Sequence, residues 1–281
     1  MMRLAAMAFA LALAQNARAA HIPRRPAPRS SPGAASTRRA TLGGVGLAAL
    51  AVACPCCRPP AAGARENVEF ARWMARLEEP FEAKLRPRKM ALLTGLDAIP
   101  ARSGERRVIC ELGVGTGPNL QLMSPSVRRD SRIIGIDPNV AMLPYAAEAA
   151  KAAGIGANFE LREGTGEALP LDTASADAVV CTHVLCSVAS QEKVLSEIRR
   201  VLVPGGRYFF LEHVLSESDR FLAMQQRALD PLQQALADGC HVTRRTRAAI
   251  ESAGFARVDS DDFYVNGAWL VGPHIAGFAI R

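Results

Sequence analysis

The residues best suited to chemistry stand together between positions 108 and 119, where the apolar run Val108, Ile109 and Cys110 leads into Glu111, Gly113, Gly115, Gly117 and Asn119. Glycines directly after a buried strand allow a tight turn and let a ligand lie against bare backbone, with the free amides of a following helix behind it. Asp137 comes twenty residues after Gly117, at the end of the next apolar run. In a doubly wound sheet a carboxylate at that point reaches the hydroxyls of a ribose. Two cofactor types suit such a crevice. A dinucleotide needs Gly-x-Gly-x-x-Gly, and here the third glycine comes one residue too early. Glu111 also precedes the first glycine by two residues, where its charge would repel a pyrophosphate but favour a ligand carrying an ammonium and a sulfonium. The pattern Glu-x-Gly-x-Gly-x-Gly therefore favours S-adenosylmethionine over NAD.

Further polar groups follow in the order that such a ligand needs. Thr165 and Gly166 lie in a turn after the third apolar run, where an adenine edge would sit, and Thr182 and His183 end the fourth, where ligands of open sheets bind. For proton transfer the candidates are His213, at the end of the fifth run, then His183, then His241 beside Asp238 and Cys240. His274 reads as structural, and Cys181 and Cys186 read as small buried apolar groups. Of the seven cysteines, Cys54, Cys56 and Cys57 fall in the first 64 residues, and Cys110, Cys181, Cys186 and Cys240 are far apart. With no Cys-x-x-Cys pair among those last four, the spacing speaks against both zinc and a disulfide framework, and no metal ligand is expected.

The elements that must position these groups are legible as an alternation. Two helices over about 66–79 and 80–96 precede strands at Val108–Leu112, Arg132–Asp137, Phe159–Arg162, Ala178–Thr182 and Tyr208–His213, with helices at Asn119–Met123, Asn139–Ala153 and Gln191–Leu202 between them. That rhythm predicts an α/β fold, a doubly wound and mostly parallel sheet. A helix over Phe221–Leu236 broken at Pro231, a short one over Arg247–Ala253, and strands at Arg257–Tyr264 and His274–Ile280 complete the pattern, with room for an antiparallel edge. Trp73, Phe81 and Met90 of the early helices are candidates for a lid.

The charge is unevenly placed. Lys and Arg number 34 against 27 acids, a formal +7, yet no acid precedes Glu66. The basic excess belongs to nine arginines in the first 65 residues, so the rest of the chain is slightly acidic and unsuited to nucleic acid. Residues 1–64 read as a targeting leader in three parts. A signal-peptide-like apolar run ends at Ala19, an arginine- and proline-rich transit segment follows, and Arg38-Arg39 opens a twin-arginine-like run. Such a series addresses a plastid, with the thylakoid lumen as the last stop; a mitochondrial presequence or an uncleaved membrane anchor are the alternatives. Residues 65–281 then form one domain, expected to have no stable membrane span.

Together the glycine loop, Asp137, Leu169-Pro170 and the turn Pro204-Gly205-Gly206 resemble those of a class I S-adenosylmethionine-dependent methyltransferase with a Rossmann-like sheet. Downstream, Val180–Val188, Phe210–Val214, Asp238-Gly239-Cys240 with Thr243-Arg244, and Val271–Gly277 are similar to the methyltransferase-like alkyl thiol S-methyltransferases. The resemblance implies that Glu111, Gly113, Gly115 and Gly117 shape the methionine and ribose site, that Asp137 holds the ribose, and that Thr165 and Gly166 face adenine. Thr182 and His183 would line the methyl-transfer mouth, with His213 as base or acceptor-positioning group. It implies an in-line transfer to a small molecule, with a thiol as the narrower expectation. His183 stands where those relatives usually carry an apolar residue, and Phe81 where a Tyr is common. A non-catalytic S-adenosylmethionine-binding assembly factor and an NAD-linked oxidoreductase are the other readings.

Overall fold

The computed structural model describes residues 66–281 apart from 78 and 103, so the leader expected over residues 1–64 lies outside the described residues. Two helices come first, α1 (Val68–Leu77) and α2 (Glu79–Leu93), the second tightening into a 3₁₀ turn over Thr94–Ala98. Then follow β1 (Arg107–Leu112), α3 (Pro125–Asp130), β2 (Ser131–Asp137), α4 (Leu143–Ala152), β3 (Phe159–Glu163), β4 (Ala176–Thr182), α5 (Gln191–Val201) and β5 (Leu202–His213). The chain ends with α6 (Arg220–Leu236), α7 (Thr246–Ser252), β6 (Arg257–Tyr264) and β7 (Pro273–Ile280). The strands form one seven-stranded sheet in the order β3-β2-β1-β4-β5-β7-β6. Its first five strands are parallel, and β7 runs antiparallel to both β5 and β6. The antiparallel strand is therefore one place in from the edge, and β6 forms the edge itself.

Alternation along the strands explains the two apolar layers. Cys110, Leu112, Ile134, Ile136, Val179 and Cys181 face one layer, which α5 closes with Val194, Leu195 and Ile198. Ile109, Ile133, Ala178, Val180 and Phe209 face the other, closed by Val127 of α3 and Ala150 of α4. Helix α5 has the local signals for its bounds. Ser190 Oγ accepts from the Lys193 amide at 3.2 Å, and its buried residues recur at three- and four-residue spacing.

Two expected boundaries are corrected. Asn119–Met123 is a series of turns rather than a helix, and α3 begins only at Pro125. Proline biases the residue before it toward extended backbone, and Ser124 adopts φ −61°, ψ 156° while its side chain caps the new helix. Helix α6 runs through Pro231 without a break. A proline inside a helix costs about 3 kcal/mol, but α6 is anchored in the turn that leads into it. Gln226 Nε2 donates to Val214 O at 3.0 Å and Leu270 O at 2.8 Å, while Asp230 Oδ1 accepts from the Val242 amide at 2.7 Å.

Helix α2 carries an ion pair into the interior. Lys89 Nζ donates to Glu82 Oε2 at 2.6 Å and Oε1 at 2.7 Å, with both side chains buried two turns apart. Two charges removed from water are tolerable only as a pair, since either alone would lack compensation. Glu82→Ala should therefore lower unfolding stability by about 3–5 kcal/mol, whereas Glu82→Leu with Lys89→Met should cost far less or nothing. Urea titrations of the three proteins check this; equal losses in the single and double variants would contradict it.

Candidate active site

The strand order turns back on itself between β1 and β4, and the crevice outside their carboxyl ends is where an open sheet binds ligands. A cavity partly open to solvent lies there. Its floor is the glycine loop. Gly113 has φ +67°, and a Cβ on it would stand 2.2 Å from Val184, so only glycine lets the β1 and β4 loops approach so closely. Gly115, at φ +54°, gives its amide to Asp137 Oδ2 at 2.9 Å, and Asp137 Oδ1 accepts from the Asn139 amide at 2.8 Å. Asp137 thus locks the loops after β1 and β2 together while its carboxylate lines the cavity. A carboxylate oxygen has room for more than one donor, so holding the loop does not preclude holding a ligand hydroxyl.

Behind the loop, Asn119 joins two strands. Its Nδ2 donates to Glu111 Oε1 at 2.8 Å and to Thr182 Oγ1 at 3.0 Å. With both amide protons directed to β1 and β4, Oδ1 is left buried without a hydrogen-bond partner among the described residues, as is Glu111 Oε2. Two buried acceptors beside a cavity wall suit a cationic donor such as an ammonium. Burial pushes the Glu111 carboxyl up from its ordinary 4.5 to about 7, against the opposing pull of the Asn119 hydrogen bond and the Lys89 charge.

The corner after β4 is unusual. His183 has φ +57°, the left-handed region that non-glycine residues seldom adopt. Glu212, wholly buried on β5, holds that corner by accepting the amides of Val184 at 3.0 Å and Leu185 at 3.1 Å. Burial pushes Glu212 up to about 7 despite those donors. The ring that this corner projects into the cavity wall belongs to a histidine cluster. His183 Nε2 lies 3.0 Å from His274 Nε2, and His274 Nδ1 lies 3.0 Å from the Gly272 carbonyl. Burial lowers the His183 imidazole well below its ordinary range and that of His274 to about 3, so both rings are neutral. A carbonyl only accepts, so His274 carries its proton on Nδ1 and its Nε2 takes the proton of His183 Nε2. His183 Nδ1 is then the unprotonated atom of that ring.

A lid covers the cavity. Asn67 caps α1 by accepting from the Phe70 amide at 3.1 Å, and its own amide reaches Asn139 Oδ1 at 2.9 Å while Nδ2 reaches Asp238 Oδ1 at 3.0 Å. So pinned, α1 turns Phe70 and Met74 into the wall, and Trp73 stacks behind Phe70 at 5.7 Å between ring centroids. Phe81 packs 5.7 Å from the His183 ring, whereas Met90 is exposed on the far side of α2 and covers nothing. The Glu82–Lys89 pair also reaches the cavity wall.

Of the residues singled out in the sequence, Gly113, Gly115, Asp137, Thr165, Gly166, Thr182 and His183 line this one cavity. Three stand off its wall. Glu111 lies behind Asn119; Gly117 turns toward α4, where a Cβ would stand 2.8 Å from Ala149. His213 is buried behind His183, ring centroids 5.8 Å apart, with its Nε2 3.1 Å from Cys240 Sγ. His241 instead pairs its Nδ1 with Asp230 at 3.0 Å. Asn119, Asn67, Glu212 and the buried pair of α2 were missed as site residues. Asn119 closes the glycine motif and could have been found there; the others carry no local signal.

Comparison with known proteins places this geometry. A family model described as "Methyltransferase domain" matches residues 110–210. Thiol S-methyltransferase TMT1A of Homo sapiens is 34% identical over 219 residues, covering 75% of this chain and 86% of the relative. Thiol S-methyltransferase TMT1B of Rattus norvegicus is 36% identical over the same coverage. Among solved structures, a SAM-dependent methyltransferase from Aquifex aeolicus shares the fold with a TM-score of 0.52 at 16% identity, covering 77% of this chain and 99% of that one. Among the described residues no helix is long and apolar enough to cross a membrane. A glycine loop locked to a carboxylate at the switch point and kinship over most of the chain lead to one conclusion: the protein is a class I S-adenosylmethionine-dependent methyltransferase and belongs to the family of these relatives.

Proposed function

We propose that this methyltransferase acts on the sulfur of a small thiol. The arrangement of His183 carries the reading. Its hydrogen-bond chain runs through His274 and ends on the carbonyl of Gly272, not on a carboxylate. A histidine that is to hold a proton during catalysis is usually backed by an acid. His183 is equipped to accept a hydrogen bond at Nδ1 and orient an acceptor, not to strip a proton from an alcohol. A thiol, with a pKa of about 8.5, brings a few per cent of thiolate by itself near neutral pH. Phe70, Met74, Val184 and Val188 give the wall an apolar character suited to a small, soft acceptor, and the similarity to thiol S-methyltransferases points the same way.

The residues present fit the family's cofactor. Asn119 Oδ1 is placed for its ammonium with the Glu111 carboxyl behind it, Asp137 for its ribose, and Thr165 with Gly166 for its adenine. When bound, it supplies an electrophilic methyl group on a sulfonium. The chain's own work is alignment and exclusion of water: the Thr182–His183 corner sets the acceptor in line, and α1 closes over both. His213, off the wall, supports His183 from behind. The arginine-rich, acid-free leader supports delivery to a plastid, which the amino-terminal sequence of the mature protein from its native cells would test.

Two expectations follow for the cofactor. Asp137→Ala should weaken S-adenosylmethionine binding about tenfold or more in calorimetry, through loss of charge-assisted hydrogen bonds. Glu111 is raised, so the folded carboxyl keeps its proton up to about pH 7 while the unfolded one ionises from 4.5. Its contribution to stability is therefore lost as pH rises through that window, and affinity for the cationic cofactor is gained. Glu111→Gln should flatten the affinity profile and lessen the stability slope, of which the Glu212 share remains; an affinity profile like the parent's would remove Glu111 from the site.

For the acceptor, small aliphatic thiols should yield methyl thioethers by mass spectrometry, where phenols and quinols yield little. Across thiols of different acidity, the pH at which kcat/KM rises should track the acceptor's own pKa. Methylation of a phenol or quinol without thioether formation would overturn the thiol reading.

A further inference from the structure

Beneath the cavity, the fold gathers three soft donors that sequence spacing keeps apart. Cys186, His213 and Cys240, all buried, bring one ligand atom each to within 4.8 Å of one another. They come from three segments: the loop after β4, the end of β5, and the loop after α6. The two cysteine loops are clamped by a backbone hydrogen bond, His241 N to Cys186 O at 2.9 Å. Gln233 Nε2 donates toward Cys240 Sγ at 3.7 Å. The hydrogen bonds that join the cluster internally all run through sulfur, a weak donor and acceptor. Cys186 Sγ is in hydrogen-bonding reach of Cys240 and His213 as well as of the His183 carbonyl and Ser187 Oγ, at 3.4 Å each, and His213 Nε2 lies 3.1 Å from Cys240 Sγ, while His213 Nδ1 is buried without a hydrogen-bond partner among the described residues. Partly satisfied polar groups in a dry interior are costly, and apolar side chains would pack there at less expense.

We propose that Cys186, His213 and Cys240 bind a zinc ion. Sulfur and imidazole donors select a soft or borderline cation over a hard one, and two thiolates with one neutral imidazole cancel the charge of Zn²⁺ in a place where net charge is disfavoured. Binding releases the two thiol protons to solvent and moves no electrons. Three protein ligands leave one tetrahedral position for water or a small ligand. The loop that supplies Cys186 also carries His183, Ser187 and Val188 into the cavity wall, so the ion would fix that wall from below. This inference does not depend on the identity of the methyl acceptor.

The test is metal content of the full chain, produced with zinc supplied and then exhaustively dialysed. Elemental analysis should find about one zinc per chain in the parent and in Cys110→Ala, whose thiol lies outside the cluster, and none in Cys186→Ala/Cys240→Ala. Should the double variant fail to fold, cobalt exchanged into the parent decides the matter. A thiolate-to-cobalt absorption band with the intense visible bands of tetrahedral Co²⁺ supports the site. Parent protein without zinc, zinc retained by a folded double variant, copper in its place, cobalt spectra lacking both features, or a Cys186–Cys240 disulfide under non-reducing mass spectrometry would each overturn it.

Discussion

Everything at this site depends on β1 being paired in parallel on both sides. Because β2 and β4 flank it, the chain leaves their ends in opposite directions and a crevice must open above the middle strand. Parallel pairing forces all the carboxyl ends to the same rim, so Glu111, Asp137 and Thr182 arrive at neighbouring points although each lies in a different strand. The glycine loop spans the gap and Asp137 closes it by taking the Gly115 amide. A ligand that bonds to this rim bridges both halves of the sheet.

A second constraint acts one strand further on. Glu212 is a buried acid whose main partners are two backbone amides of the turn after His183. It holds His183 in a conformation that a histidine would not choose alone. That strained corner sends an imidazole into the cavity wall and turns the following residues down toward Cys240. The same carboxylate therefore shapes the acceptor side of the cavity and the pocket beneath it. Burying it is unfavourable by itself, which is reflected in its raised pKa; the return is the position of the loop.

The helical cover shows how weak local propensity is against tertiary anchors. Pro231 signals a break in α6, yet Gln226 and Asp230 fasten the helix to surrounding backbone and it continues. At Ser124-Pro125 the local signal prevails, because nothing nearby compels a helix before it and the cap favours a start there. Similarly, Met90 shares the apolar character of Phe70 and Met74 but not their place: α1 is tied across the mouth by Asn67, while the outer face of α2 is turned to solvent.

The sequence by itself determined the alternating strands and helices, the cofactor loop, and the acid that answers it. Those features are local: period-two burial, glycines after a strand, and a carboxylate at a strand end act within a few residues of where they are written. Only the tertiary structure decided what meets across long separations. It made Asn119 a bridge between β1 and β4, and it set His213 behind His183 rather than on the cavity wall. Cys186, His213 and Cys240 became neighbours. Each of these depends on which segments the sheet order brings side by side, and a side chain's partner across the fold leaves no periodic or positional mark on its own stretch of chain.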